Sequence, residues 1–142
     1  MNPYATVTLR YLWASPATLV GLVLGLVACL FGATARVRHG VLEVAGGRLA
    51  RAVSTVPSLK HVLALTVGHV VIGIDHAILD QERPHEHAHV RQYERWGVLL
   101  FPLYLGSSIV QFVRGGHPYL DNRFERQAFN AAADAHERER PA

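Results

Sequence analysis

Residues 16–31 have the sequence Pro16-Ala-Thr-Leu-Val-Gly-Leu-Val-Leu-Gly-Leu-Val-Ala-Cys-Leu-Phe31, and they lie within 25 uncharged residues between Arg10 and Arg36. A helix of about 20 apolar residues is long enough to cross the hydrocarbon core of a bilayer. The run therefore predicts a transmembrane helix over residues 12–33. Ser15 and Pro16 suit the N-cap and the first helical position.

Two other interpretations of this run remain open. A cleaved secretory signal is less favoured because the apolar run exceeds the usual core of about 7–15 residues. The sequence Leu26-Val-Ala-Cys29 is similar to a bacterial lipoprotein signal, but the residues that follow Cys29 stay apolar. Gly21 and Gly25 form a GxxxG pattern, which predicts a possible homodimer face.

The chain has 142 residues, half of them hydrophobic, and a formal net charge of +3. This length allows one domain with an anchor and excludes a multidomain enzyme. The single cysteine excludes an intramolecular disulfide framework and a cysteine-based zinc finger. The arginines are dispersed along the chain, so they do not form a nucleic-acid-binding patch. By the positive-inside rule, arginines after the apolar run place the C-terminal part in the cytoplasm, on the inner (cell) membrane.

The residues after the anchor predict a small α+β domain over 37–137. An N-terminal tail (1–11) precedes the transmembrane helix, and a frayed tail (138–142) follows the domain. Alternating apolar residues predict a strand and turn at 37–46, and a Val- and Ile-rich segment predicts one bulged strand or two short ones at 61–74. A polar, His-rich segment predicts a helix from Gln81 to Trp96. Asp121 or Asn122 can cap a last helix that runs to about His136.

The segment Pro84-His-Glu-His-Ala-His89 contains the pattern HExxH. On a helix, His85 and His89 share a face and can bind one metal ion. Glu86 lies about 100° away around the helix and can reach a water on that metal. His87 points away from this face, so we expect it at the surface.

A catalytic zinc needs a third protein ligand. Glu125, 36 residues after His89, is the leading candidate; its alternative role is a first-turn carboxylate that the helix dipole favours. His69 on a strand edge and His117 in a loop are less favoured ligands. Gln92, Tyr93 and Trp96 lie near the His85 face and either line the site or pack against it; His61 and His76 have no assigned role.

Three segments of the sequence together resemble gluzincin-type membrane zinc metallopeptidases and their bacterial relatives. They are the run from His85 to Gly97, then Phe101-Pro-Leu-Tyr104, then Asp121-Asn-Arg-Phe-Glu125. The segment Leu65-Thr-Val-Gly-His-Val-Val71 is similar to the strand that precedes the active-site helix of that family. The resemblance implies a zincin-like domain with one zinc ion per chain on His85, His89 and Glu125, and with Glu86 as the general base. The chain is short for a peptidase of this kind.

The uncharged segment 96–113 sets a condition on this site. If it crossed the membrane, His85 and Glu125 would lie on opposite sides, which metal–ligand bonds of about 2 Å forbid. The metal site therefore requires the segment to turn back, and Pro102 and the sequence Gly106-Ser-Ser108 are candidate positions for the turn.

These expectations predict a membrane-anchored, zinc-dependent peptidase with an unknown peptide or protein substrate. Two alternatives remain open. One is a non-catalytic membrane protein that binds a metal for structure or sensing. The other is a small two-helix membrane protein in which HExxH occurs by chance.

Overall fold

The structure is a computed structural model, and it describes residues 3–56 and 63–139. It is a mixed α and β fold with one four-stranded sheet. In these described ranges, five α-helices and four strands follow one another in the order α1 (Pro3–Leu30), β1 (Thr34–Arg38), β2 (Val41–Ala45), α2 (Gly47–Thr55), β3 (Ala64–Val67), β4 (Val70–Gly73), α3 (His76–Trp96), α4 (Leu100–Val113) and α5 (Arg123–Glu139). A short 3-10 turn, Gly97–Leu99, joins α3 to α4.

The sheet has the strand order β1-β2-β4-β3. Two antiparallel hairpins, β1–β2 and β3–β4, are joined by the parallel pairing of β2 with β4. The predicted strand at 37–46 is thus two strands, with a tight turn at His39 and Gly40, both at positive φ. The segment 61–74 also forms two strands, in its part from Ala64 to Gly73; residues 61 and 62 lie outside the described residues.

Helices cover both faces of the sheet. On one face, Val41, Ala45 and Val71 pack against Leu79 and Val90 of α3. On the other face, Val44 of β2 and Val70 of β4 pack against Ala28 of α1. The N-terminal helix is therefore a layer of the fold, packed against the domain that it was expected to tether.

Small residues let α1 approach the sheet closely. In the described part of α1 the buried residues are Ala14, Ala17, Gly21, Gly25 and Ala28, which recur at helical spacing on one face. Of these, Gly21, Gly25 and Ala28 lie against the strands. A Cβ added at Gly21 would lie 2.4 Å from the carbonyl oxygen of Val67. The glycine face is thus already in contact with β3 and β4, and a homodimer through Gly21 and Gly25, which stays a prediction, would have to displace them.

Helix α1 begins at Pro3, before the predicted start at residue 12, and it ends at Leu30, before the predicted end at residue 33. Ser15 and Pro16 lie inside it, so the prediction that they begin the helix is wrong. Pro16 has no N–H for the carbonyl of Leu12, and the hydroxyl of Ser15 donates a hydrogen bond to that oxygen instead, at 2.7 Å. This replacement explains why the helix continues through proline.

Two stretches of helix are long and apolar enough to cross a membrane, Val7–Leu30 and His76–Val113. A signal sequence or the core helix of a soluble protein meets the same criterion. In the N-terminal stretch, 28% of the most apolar window is buried inside the protein, and most of the rest is exposed. The chain thus has an N-terminal helix with the composition of a membrane span.

A buried carboxylate joins the sheet to α3. Glu43 of β2 is 1% exposed and accepts hydrogen bonds from Arg36 at 2.8 Å and Arg83 at 2.7 Å. Both arginines also pair with Asp80 of α3. Burial alone would raise the pKa of Glu43, but Arg83 and Arg36 lower it below its usual 4.5. The carboxylate is thus ionised and held between two strands and a helix.

Helix α3 begins earlier than the predicted start at Gln81. Asp75 caps it, since its side chain accepts a hydrogen bond from the backbone N–H of Ile78 at 2.8 Å. Helix α5 begins after Asn122, whose side chain accepts from the N–H of Phe124 at 2.9 Å, as predicted for one of the two cap candidates. It extends past His136 to Glu139, and residues 140–142 lie outside the described range, so fraying of the tail stays a prediction.

The segment 96–113 does turn back, but at other residues than predicted. Pro102 and the residues 106–108 lie within α4. The chain changes direction at Gly97, which has a positive φ of 57°, and again between α4 and α5 at residues 114–122. Helices α4 and α5 then lie in contact, which brings the start of α5 to α3.

Candidate metal centre

Three predicted ligands meet between α3 and α5. The Nε2 atoms of His85 and His89 are 3.2 Å apart. The carboxylate of Glu125 lies 3.2 Å from Nε2 of His85, through Oε2, and 3.5 Å from Nε2 of His89, through Oε1. Among the described residues, this is the group of three whose ligand atoms could hold a metal ion.

These spacings suit one metal ion. Tetrahedral zinc with bonds of 2.0–2.1 Å keeps its ligand atoms about 3.3 Å apart. The Nε2–Nε2 distance of 3.2 Å between His85 and His89 matches one edge of that tetrahedron, and each Nε2 lies 3.2 or 3.5 Å from a different oxygen of Glu125. The two histidines and this carboxylate could therefore hold one ion together.

A buried atom without a hydrogen bond points to the same conclusion. Oε2 of Glu125 is buried and lies 3.2 Å from Nε2 of His85, but it accepts no hydrogen bond in the described part of the chain. A buried acceptor without a donor is unfavourable by about 1–3 kcal/mol. A cation next to Oε2 of Glu125 would remove this penalty, so the donor set fits a divalent metal.

Gln92 sets the tautomer of His89. The amide nitrogen of Gln92 donates to the carbonyl of Phe124 at 2.9 Å, which leaves its Oε1 as an acceptor. That Oε1 lies 2.9 Å from Nδ1 of His89, so Nδ1 carries the proton and donates it. In the neutral imidazole the Nε2 lone pair is therefore free to face Glu125 and a metal.

The third ligand is held by α4. The hydroxyl of Tyr104 donates to Oε1 of Glu125 at 2.7 Å. The side chain of Asn122 donates to the carbonyl of Tyr104 and to the hydroxyl of Ser108, so the beginning of α5 is fixed to the same helix. Glu125 is 3% exposed, and its position follows from these contacts.

Electrostatics keep Glu125 ionised. Burial would raise its pKa, but the contacts with His85 and His89 lower the pKa of this carboxyl far below its usual 4.5. Burial lowers the pKa of His89, while Glu125 raises it more, so the pKa of His89 lies above its usual 6.5. Glu125 therefore supplies the negative charge that a divalent cation requires.

Glu86 is buried beside this cluster. Its Oε2 accepts a hydrogen bond from the hydroxyl of Thr66 on β3 at 2.5 Å. Burial raises the pKa of Glu86 above its usual 4.5, while Thr66, His89 and His85 act in the opposite direction. A carboxylate with a raised pKa is better matched to accept a proton near neutral pH.

The other histidines considered as ligands lie elsewhere. His69 is buried in the β3–β4 turn, where its ring contacts Thr18 of α1 and Glu94 of α3. Nδ1 of His117 accepts hydrogen bonds from the backbone N–H groups of Tyr119 and Leu120. His87 is half-buried, with Nε2 fully covered, so its expected surface position is wrong in part. These contacts leave Glu125 as the third member of the cluster.

Sequence reasoning named Asn122 as a helix cap but missed the contacts by which several residues position the site. Thr66, Tyr104 and Asn122 hold Glu86 and Glu125 from three different parts of the chain. Gln92 was expected near the site, and its spacing from His89 was the available signal. Nothing in the local sequence of Thr66 indicates a contact with a residue 20 positions away.

Comparisons of the chain with protein-family models, with curated proteins and with solved structures find no match. The resemblance to gluzincins therefore remains a prediction from the sequence.

Proposed function

We propose that this chain is a membrane-anchored, zinc-dependent peptidase that cleaves a peptide bond with a metal-activated water. The observation that carries the proposal is the cluster of ligand atoms of His85, His89 and Glu125, all within 4.8 Å of one another, beside the buried carboxylate of Glu86. When bound in such a site, zinc lowers the pKa of a coordinated water and polarises a carbonyl.

The residues of the chain supply the remaining functions. Glu86 would accept the proton of the attacking water and pass it to the leaving amine. The hydroxyl of Thr66 holds one oxygen of this carboxylate in place, which leaves the other oxygen for the proton. Gln92 and Tyr104 keep His89 and Glu125 in their ligand orientations.

The position of β3 supports a peptide substrate. β3 is an edge strand of the sheet, and Thr66 in this strand contacts Glu86. The unpaired backbone groups of an edge strand can hydrogen-bond to an extended peptide. A peptide paired with β3 would thus lie close to the proposed base.

The first experiment measures zinc content and proteolysis together. Purified, tag-free protein in detergent should hold about one zinc per chain by elemental mass spectrometry, as three protein ligands around one ion imply. Glu86→Gln should keep the zinc and lose proteolysis of an unstructured test protein. Glu82→Gln, one turn earlier on α3, is the control and should keep both. Proteolysis by Glu86→Gln at the wild-type rate would contradict the proposal.

A second pair of variants tests the ligands. His89→Gln should lose the zinc, and His87→Gln, in the same His-rich tract, should retain it. Loss of zinc from both variants, or from neither, would mean that the metal binds elsewhere.

The burial of the cluster favours a second candidate function. The side chains of His85, His89 and Glu125 are 6%, 13% and 4% exposed, which suits a metal that joins α3 to α5 without catalysis. Zinc binding without proteolysis by the wild-type protein, together with a fourth protein ligand, would select this function.

A further inference from the structure

Helix α4 has its polar side turned inward. Tyr104, Ser107, Ser108 and Gln111 recur at spacings of three and four residues, so they share one face. All four are half-buried. The opposite side carries large apolar residues that are 41–78% exposed: Phe101, Leu103, Leu105, Ile109, Val110, Phe112 and Val113.

This arrangement is the reverse of a helix on a water-soluble domain. In water, the apolar side of a helix faces the core and the polar side faces solvent. In lipid, polar groups must find partners inside the protein while apolar side chains face the hydrocarbon. The polarity of α4 therefore matches a lipid environment.

Three of the four polar side chains on this face, those of Tyr104, Ser107 and Ser108, make hydrogen bonds to α5 or its start. Ser108 accepts a hydrogen bond from the side chain of Asn122 at 2.7 Å, and Ser107 accepts one from the backbone N–H of Arg123 at 3.1 Å. The carbonyl of Gln111 accepts from the N–H of Gly116 at 2.8 Å. With the Tyr104–Glu125 contact, these bonds fix the loop after α4 and the start of α5 against the inner side of the helix.

The ends of α4 have the charges expected at a membrane surface. No charged residue lies between Arg95 and Arg114, and both arginines are exposed. Arginine side chains beside an apolar helix bind anionic lipid headgroups. Near its start, the backbone at Gly97 lies against the ring of Trp13 on α1, where a Cβ would come within 2.8 Å. The apolar run of α1 and the helix α4 therefore begin close to each other in the molecule.

Helix α4 alone is too short to cross, since its 14 residues extend about 21 Å, whereas a hydrocarbon core is about 30 Å thick. The longer apolar stretch His76–Val113 is interrupted at Gly97, whose φ of 57° lies outside the helical range. The hydrogen bonds of Asn122 and Arg123 also return the chain to the side from which it came.

We propose that α4 enters the lipid bilayer and that the chain returns on the same side, so that the metal centre lies at the lipid surface. The lipid covers the exposed apolar side of α4, while Tyr104 on the inner side of the helix holds Glu125. A centre in this position would act on membrane-borne peptide segments; that substrate class rests on the proposed function, whereas the insertion rests on α4 alone.

The test uses single cysteines in the full chain with Cys29→Ser. An environment-sensitive fluorophore is attached at Phe112→Cys on α4 or at Asn130→Cys, an exposed position on α5 that serves as the control. The protein is reconstituted into vesicles of phosphatidylcholine and phosphatidylglycerol. Lipids with a quencher in the acyl chain should quench the label at 112 several-fold more than the label at 130. Equal quenching of both labels by aqueous iodide would overturn the insertion, as would cross-linking of position 112 to a second copy.

A second measurement tests the return of the chain. Arg91→Cys on α3 and Glu137→Cys on α5 should react with a membrane-impermeant maleimide from the same side of sealed vesicles. Reaction from opposite sides would mean that α4 crosses the bilayer. Both measurements are made without substrate, so loss of peptidase activity in every variant would leave them informative.

Discussion

At the scale of single residues, one hydroxyl controls the orientation of the third ligand. Tyr104→Phe removes the donor to Oε1 of Glu125 and leaves the ring in place. Loss of a hydrogen bond to a metal ligand typically weakens metal binding by about 10–100-fold. We expect a loss in this range, measured by competition with a zinc chelator. Tyr93→Phe on α3 is the control, and equal affinity of both variants would show that Tyr104 does not orient Glu125.

The carboxylate of Glu43 gives a prediction for pH. Removing one partner of a fully buried ion pair costs about 3–5 kcal/mol, and we expect about 2–3 kcal/mol for Glu43→Gln because its arginine partners are partly exposed. The pKa of Glu43 is lowered on folding. The contribution of the Glu43 carboxylate to the free energy of unfolding is therefore complete above its usual pKa of 4.5. This contribution is lost as the pH falls through the lowered pKa of the folded state.

Denaturant unfolding of wild type and Glu43→Gln between neutral and acid pH measures this difference. The two unfolding free energies should converge only at acid pH. A difference that stays constant down to the acid limit would show that the loss comes from packing and has no ionic part.

The sequence predicted the members of the cluster of His85, His89 and Glu125 better than the residues around them. His85 and His89 are four residues apart on one helix, so local geometry alone places them together. Glu125 reaches the cluster only because the chain returns after α4. Its position in the first turn of a helix capped by Asn122 was visible in the sequence. Tyr104 and Thr66 reach the site through tertiary contacts, which no local pattern records.

At the scale of elements, the glycines of α1 set its distance from the sheet. Gly21→Ala places a methyl group 2.4 Å from a backbone oxygen that cannot move away easily. Overpacking costs about 1–3 kcal/mol, against a gain of about 1 kcal/mol in helix propensity. We expect a net loss of roughly 1 kcal/mol in the free energy of unfolding in detergent.

Gly25→Ala is the graded control, since its new Cβ would meet a side-chain carbon of Val44 at 3.2 Å. That side chain can shift, so this variant should be close to neutral. Equal stabilisation by both substitutions would mean that α1 does not pack on the sheet.

The elements that were misjudged have physical explanations. Pro16 predicted a helix start, but the hydroxyl of Ser15 replaces the missing backbone donor. Helix α2 was not predicted because it has nine residues, no side-chain cap and no buried residue. The hairpin turns depend on positive φ at His39, Gly40 and Gly68, and only the glycines gave a signal in the sequence.

At the scale of the whole molecule, the metal should couple binding to stability. The three ligands join α3 to α5, so zinc binds the folded chain more tightly than the unfolded chain. Free zinc at about 100 times its dissociation constant should raise the free energy of unfolding by about 2.7 kcal/mol. Thermal unfolding with and without a chelator measures the effect, and His89→Gln should abolish it. An equal shift in His89→Gln would assign the effect to another site.

The contact between α1 and the sheet has a further consequence. Ala14 to Ala28 spans about 21 Å of helix, and the protein covers one side of it over this whole length. An anchor joined to its domain by a flexible linker lets the domain sample many heights above a membrane. Here the helix packs on the domain that holds the candidate metal site, so insertion of this helix in a membrane would give the site a fixed height. The cleaved bond of any substrate would then lie at a constant distance from the membrane, whatever the sequence around it.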